Sequence, residues 1–407
     1  MMQRVPVAIF DNFWSTTLAF ARSLGRQGVP LHFFGNGAGR WSRYCTRRFR
    51  CPPAESIEFQ PWLRDKIRSG EISRVAPTTD LIAYHVSVLR GEFTPEVQRT
   101  IAPLVEIENC LIKTRFAVTS ALAGCATLST LAPDSLERAI AAGSELGYPL
   151  VMKPKSHLAV GVDRGRLLVD EADLVAHFRR YRIAPDQEEI AVKYPELYWP
   201  LLQRYVPSAR TRVYSVSGIK DADGGVLTAC VSYKAEQWPP DVGVSTIQVA
   251  HNDKLILEFG LNVLNQTLSR GIFEVEVLVD GEALYAIDLN PRAFGFLELD
   301  LARGSDLPLL WYKSTLEAQA PAPPSVPDVP IQARHWLLHL LKSLARRLAP
   351  GAEQPESAMS QMISVSMLGH RSDPLPMIIS NLHLLRHPRS LIRAQLASAR
   401  APHEDKV

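Results

Sequence analysis

The segment that most constrains the fold is Gly271-Ile-Phe-Glu-Val-Glu-Val-Leu-Val-Asp-Gly-Glu-Ala-Leu-Tyr-Ala-Ile-Asp-Leu-Asn-Pro-Arg292. It alternates with period two on both sides of Asp280-Gly281, which predicts a β-hairpin from Ile272 to Asn290. If the loop is odd, for instance Val279-Asp280-Gly281 with a left-handed glycine, one face collects Phe273, Val275, Val277, Tyr285, Ile287 and Leu289. The other face then collects Glu274, Glu276, Asp288 and Asn290. A two-residue loop separates the acids. Three carboxylates and an amide on one face repel unless a cation lies among them, and all-oxygen ligands suit Mg²⁺ or Mn²⁺. The plainer alternative is a solvated strand face carrying ordinary acids.

A second charged feature is Lys153 at the end of the short apolar strand Pro149-Leu-Val-Met-Lys153. A cation there is costly unless it meets an anion, for which phosphate is the natural candidate, or reaches water at a sheet edge. The loop that follows, Pro154 to Gly165, has glycines at 161 and 165 whose backbone amides can approach such an anion, although it contains no Walker pattern. Gly35-Asn-Gly-Ala-Gly39 looks like a dinucleotide loop, yet it follows the second strand and lacks the full G-x-G-x-x-G spacing, so a mobile surface loop is the better reading. Neither an H-E-x-x-H pair nor a G-x-S-x-G elbow occurs.

The first 110 residues alternate apolar runs and helical patterns, as a parallel sheet with crossover helices requires. Val5–Phe10 and Pro30–Phe34 read as strands, Ser15–Gln27 as a helix, and Val75 to Asp80 as the end of a later strand. Ligands of such sheets lie beyond the carboxyl ends of the strands, which places Asp11, Asn12 and Thr78 to Asp80 toward one. Thr211 to Val249 reads as antiparallel strands turning at Asp223-Gly-Gly225, and Asp253 to Ser269 as a helix. Residues 320–330 form a Pro-rich linker, and Trp336, Leu337, Leu340, Leu341, Leu344 and Leu348 mark an amphipathic helix beyond it.

Composition limits the partners. With 407 residues, 46% hydrophobic and 21% charged, the chain can bury a large core, and a net charge of +3 is too small to argue for nucleic acid. Residues 331–407 hold 10 Lys+Arg and 5 Asp+Glu, leaving 35 and 37 for the rest, so a tail of +5 follows a body of −2. That tail packs back on the core or meets a membrane surface or a partner. Five cysteines without a C-x-x-C pair fit a reducing cytoplasm. No leader and no apolar run near 18 residues argue against secretion and membrane spanning.

Together these segments resemble the ATP-grasp superfamily across roughly residues 4 to 318. Glu276-x11-Asp288-Leu-Asn-Pro-Arg292 is similar to its glutamate strand followed by E-x-N-P-R. Leu111-Ile-Lys113 and Tyr148-Pro-Leu-Val-Met-Lys153 match its two nucleotide lysines, and Leu202-Gln-Arg-Tyr-Val-Pro207 its adenine hinge. Arg22-Ser-Leu-Gly-Arg26, Ser42-Arg-Tyr44 and Lys234 to Val244 resemble its carboxylate-amine ligase branch.

The resemblance implies an α/β (α+β) ATP-grasp fold with a Rossmann-like pre-ATP-grasp domain (1–110) and a small lid subdomain (111–207). A catalytic subdomain (208–319), the linker (320–330) and a basic helical tail (331–407) complete it. It further implies that Lys113 and Lys153 neutralise the α and β phosphates of ATP, and that Gln203, Arg204, Tyr205 and Val206 meet adenine. Glu276, Asp288 and Asn290 hold magnesium, while Arg292, with Lys234, steadies the transferred phosphate.

Arg204 stands where the hinge usually has glutamate, and the loop is poor in glycine. The implied reaction joins a small-molecule or peptide carboxylate to an amine through an acyl phosphate, with a thiol or alcohol acceptor also open and a homodimer allowed. A non-catalytic ATP-binding regulatory or scaffold protein is the alternative, and a dinucleotide oxidoreductase a third reading. Asn12, Ser15, Asp80 and Arg292 are placed by topology to meet the substrate, with capping and turn chemistry the alternative for Asn12 and Ser15.

Overall fold

The computed structural model describes residues 4–11, 15–159, 165–238, 243–316, 330–340 and 362–386. Asn12, Gly161, the linker as far as residue 329 and Leu341, Leu344 and Leu348 lie outside the described residues. Fourteen strands are described: β1 Val7–Phe10, β2 Leu31–Phe34, β3 Cys45–Phe49, β4 Thr130–Leu131, β5 Leu150–Lys153, β6 Arg166–Leu168, β7 Leu201–Arg204, β8 Val213–Lys220, β9 Val226–Trp238, β10 Val244–His251, β11 Gly271–Asp280, β12 Ala283–Asn290, β13 Ile331–Arg334 and β14 Ile363–Ser366. They form three sheets, ordered β1-β2-β3, β4-β7-β5-β6 and β12-β11-β8-β9-β10-β13-β14.

The first sheet is parallel, because its crossovers are helices and turns rather than hairpins. The strand expected to end over Val75 to Asp80 is reduced to one parallel bridge between Ala8 and Val75. The chain turns away there because Thr79 accepts a hydrogen bond from Ile82 N and caps the helix Asp80–Val88. Gly35–Gly39 does not lie wholly on the surface, since residues 37–39 are buried. Gly39 N and Arg40 N donate to the two carboxylate oxygens of Asp11 at 2.8 and 2.6 Å. A Cβ at Gly39 would meet Phe33 and Asp11 at 2.6 and 2.7 Å, so the glycine is needed for close approach. Asp11 is therefore committed to its own loop rather than turned toward a ligand.

The small sheet packs Leu150, Met152, Leu168 and Leu202 against the helices Leu136–Leu146 and Glu171–Arg180. The large sheet turns Phe273, Val275, Val277 and Leu289 onto Phe116, Val263 and Leu264 of the helices Lys113–Leu122 and Lys254–Thr267. Each such side chain stabilises the fold by roughly 1.5–3 kcal/mol relative to exposure, which fixes the face the hairpin must bury.

The tail departs from a purely helical appendage. β13 pairs antiparallel with β10, and β14 parallel with β13, so two tail strands extend the large sheet. Ile331 and Ala333 enter the same core as Ile9 and Phe20. Trp336–Leu340 and Leu375–Arg386 are helical. Among the described residues no helix is long and apolar enough to cross a membrane.

Candidate active site along the β11–β12 hairpin

Asp280 pairs with Ala283, so the hairpin loop is the two-residue Gly281-Glu282, with Gly281 at φ +58°. That loop alone would divide the acids between faces. A β-bulge corrects the phase: Glu276 pairs with Asp288 while Val277 pairs with Ala286, leaving Ile287 extra. Glu274 and Asn290 are also direct partners, and all four polar residues share one face. The bulge has a second effect, since Tyr285 and Ile287 leave the expected apolar face and pack instead with Leu128, Val206, Val213 and Leu278.

Opposed carboxylates require cations, and several segments supply them. Lys234 Nζ of β9 lies 2.7 Å from Glu276 Oε1. Lys113 Nζ, at the start of its helix, donates to Asp288 Oδ2 at 2.8 Å. Arg292 grips Asp80 with Nε and Nη2 at 2.9 and 3.1 Å, and its Nη2 also donates to Asn290 Oδ1 at 3.0 Å. Asn290 Nδ2 donates to Glu274 Oε2 at 3.1 Å, and Ser215 Oγ to Glu274 Oε1 at 2.8 Å. The structure thus gathers Lys113, Lys234, Glu276, Asp288, Asn290 and Arg292, and Lys153 feels the charges of Lys113, Asp288, Glu276 and Lys234.

Protonation follows from these contacts. Burial, reinforced by Lys113, pushes the Lys153 amine down to about 8. Burial opposes the charge on Asp288, yet Lys113 and His157 outweigh it and hold that carboxyl well below the usual range. Burial likewise opposes Asp80, which Arg292 and His157 keep below its ordinary value. Glu274 goes the other way, raised to about 7 by burial and by Glu276.

Among the described residues no three acidic, histidine or cysteine side chains are gathered as a ready metal cage. Mg²⁺ does not require one, because it commonly takes one or two carboxylates, keeps waters and completes its shell with phosphate oxygens. The donor chemistry fits such a pairing: two opposed carboxylates and an amide oxygen stand beside two lysines and an arginine. Each of these carboxylates is now neutralised by a side chain that a phosphate would draw away.

The expected adenine strip begins on β7, the strand beside Lys153, whose partner is Leu201, and continues past its end at Tyr205 and Val206. Gln203 Nε2 donates to Thr130 Oγ1 at 2.8 Å, Arg204 is exposed and Val206 is buried at 4%. Tyr205 is half-buried. Ser15 is buried, and its hydroxyl donates to Gly295 O. His157 was missed by sequence reasoning. Its Nε2 lies 2.8 Å from Lys113 Nζ and 3.1 Å from Asp288 Oδ2, and its Nδ1 lies 3.6 Å from Asp80 Oδ2. The available signal was a histidine in a loop too poor in glycine to bind an anion through its backbone alone.

No family model matches the chain, and no curated protein matches it. Solved structures do resemble it. The biotin carboxylase domain of the Hydrogenobacter thermophilus 2-oxoglutarate carboxylase, solved with MgADP, ADP and bicarbonate, superposes with a TM-score of 0.61 at 16% identity, over 78% of this chain and 71% of that one. The L-amino acid ligase of Bacillus licheniformis gives 0.56 at 16% identity, over 80% and 76%. The N5-carboxyaminoimidazole synthetase of Staphylococcus aureus complexed with ADP gives 0.58 at 14% identity, over 79% of each chain. At such identities the likeness is one of fold.

Proposed function

We propose that this chain, which has the ATP-grasp fold of those enzymes, is an ATP-dependent ligase that activates a carboxylate and joins it to an amine. The observation that carries the reading is the cluster in which Lys113, Lys234 and Arg292 pair with Asp288, Glu276 and Asp80 around the poorly solvated amine of Lys153. In this reading Glu276, Asp288 and Asn290 would hold Mg²⁺, whose charge would offset that of the triphosphate. Lys113 and Lys153 neutralise the α and β phosphates, and Gln203 to Val206 receive the adenine. Arg292 orients the substrate carboxylate and the transferred phosphoryl, and Lys234 adds positive charge beside them.

A carboxylate oxygen attacks the γ-phosphorus and ADP departs. The amine then attacks the acyl carbon, loses a proton and expels phosphate. Both steps need positioning and charge neutralisation rather than an enzyme nucleophile. A small-molecule or peptide acid and a cytoplasmic setting are the simplest context for this chemistry.

The test is a panel of carboxylates and amines with Mg·ATP, read as ADP or phosphate release. One acid should switch on release, and Lys153→Ala or Glu276→Ala should lower kcat/KM by about 10²–10³-fold or more without unfolding the protein. Full turnover by Glu276→Ala would remove that residue from the metal set. Tight nucleotide binding without turnover across the panel would favour a non-catalytic binding protein.

A further inference from the structure

The loop after β5 is held by hydrogen bonds and burial up to Ala159. Ser156 bridges to Ile112, Lys113 N donates to Lys155 O at 2.8 Å, and Leu158 N donates to Ser156 Oγ at 3.0 Å. Leu158 and Ala159 are fully buried. Between these anchors the side chain of His157 leaves the loop, 33% exposed, and lies in a row running Lys113, His157, Asp80, Arg292.

The row fixes which part of a nucleotide the imidazole faces. Lys113 stands at the α and β phosphates in the reading above, and Arg292 stands at the transferred phosphoryl. The imidazole is between them and touches Asp288. Its Nε2 and the Lys113 amine converge on one carboxylate oxygen, an arrangement that suits a phosphoryl oxygen equally well once Asp288 turns to a cation.

We infer that His157 is a ligand of the γ-phosphoryl group of ATP, donating a ring N–H to one of its oxygens. This contact supplies from a side chain what a glycine-rich loop supplies from backbone amides. The inference rests on the nucleotide-binding reading but not on the identity of the acid or the amine.

The full chain is titrated calorimetrically with Mg·ADP and with the magnesium salt of β,γ-imido-ATP, which carries a γ group that is not transferred. His157→Ala should weaken the analogue about tenfold, the effect of one charge-assisted hydrogen bond, and leave Mg·ADP unchanged. His157→Asn, which keeps an N–H donor, should recover part of the loss.

Unchanged Mg·ADP affinity also reports that the variant is folded. Equal weakening of both nucleotides would make His157 a pin between loop and hairpin and overturn the inference, as would no weakening of either. A wild-type chain that binds both nucleotides but turns over no acid counts against the ligase reading alone. One that binds neither overturns both.

Discussion

Lys153 keeps its amine beside Lys113 in a poorly solvated place, and the cost appears as a proton held less tightly than usual, to about 8. A phosphate placed between the two lysines reverses the repulsion and offsets the desolvation. Its arrival must therefore raise the affinity of Lys153 for its proton. At pH 8.5 the free amine is mostly neutral, so binding of preformed Mg·ADP should take up protons. Titration in two buffers of different ionisation heat measures the uptake. Lys153→Met should abolish it, and an uptake that persists in the variant would assign the effect elsewhere.

Asp300 gives a second residue-scale prediction away from the site. Burial raises its carboxyl to about 6 against the hydrogen bond from Ser217 Oγ at 2.7 Å and the charge of Arg303. The raised value means the folded state keeps a proton that the unfolded chain releases near pH 4. Stability from the neutral acid is therefore full below about pH 4 and is lost as pH rises through about 6. Asp300→Asn should gain on the wild type between pH 4.5 and 6.5, by an amount on the order of 1–3 kcal/mol at the upper end. Urea unfolding at three pH values gives the difference, and a constant difference would contradict it.

At the scale of elements, the hairpin shows what the sequence can and cannot convey. Alternation established that the acids oppose the apolar residues, because any odd offset between the strands gives that result. A three-residue loop provides an odd offset, and so does a two-residue loop with one bulged residue. The structure uses the second, at Ile287. Nothing in the local pattern separates the two cases, since the choice depends on Tyr285 and Ile287 finding Leu128 and Val213 from far along the chain. His157 was illegible for a similar reason: its partners come from residues 113, 80 and 288, which only the fold assembles.

The support beneath the sheet is equally specific. Gly260 of the helix Lys254–Thr267 sits so close to β8 that a Cβ would lie 2.5 Å from a methyl group of Val216. Alanine is the better helix former by about 1 kcal/mol, while overpacking typically costs about 1–3 kcal/mol. Gly260→Ala should therefore lower the melting temperature rather than raise it. Gly260→Ala combined with Val216→Ala should recover much of the loss, and a more stable single variant would show that the helix can move away freely.

At the scale of the whole molecule, the tail is joined to the body by buried charge. Arg22 is fully buried, with Nε and Nη1 each 3.2 Å from Asp373 and Glu298 carboxylates and Nη2 donating to Leu368 O at 2.7 Å. Asp373 also accepts from Ser42 Oγ at 2.8 Å and Arg43 N at 2.9 Å, while Gly25 leaves room for Tyr44. The stretches Arg22–Arg26 and Ser42–Tyr44, conspicuous in the sequence without an evident chemical role, are thus the receptor for a tail residue more than 300 positions away. Of the settings open to the basic tail, packing back on the core is the one its described portion takes, supplying two strands to the large sheet and a carboxylate to Arg22.

Removing one partner of a buried ion pair leaves an uncompensated charge and costs about 3–5 kcal/mol. Asp373→Ala should therefore lower stability on that scale, whereas substituting an exposed tail residue such as Arg371 should do almost nothing. A chain ending at Pro330 loses β13 and β14, leaves the edge of β10 unpaired from Ile247 to Val249, and takes Asp373 and Leu368 away from Arg22. It should aggregate or melt well below the full chain in a thermal scan. If it instead stays monomeric with an unchanged melting temperature and unchanged Mg·ADP affinity, the tail is an appendage after all, and the pairing of β10 with β13 does not contribute to the stability of the body.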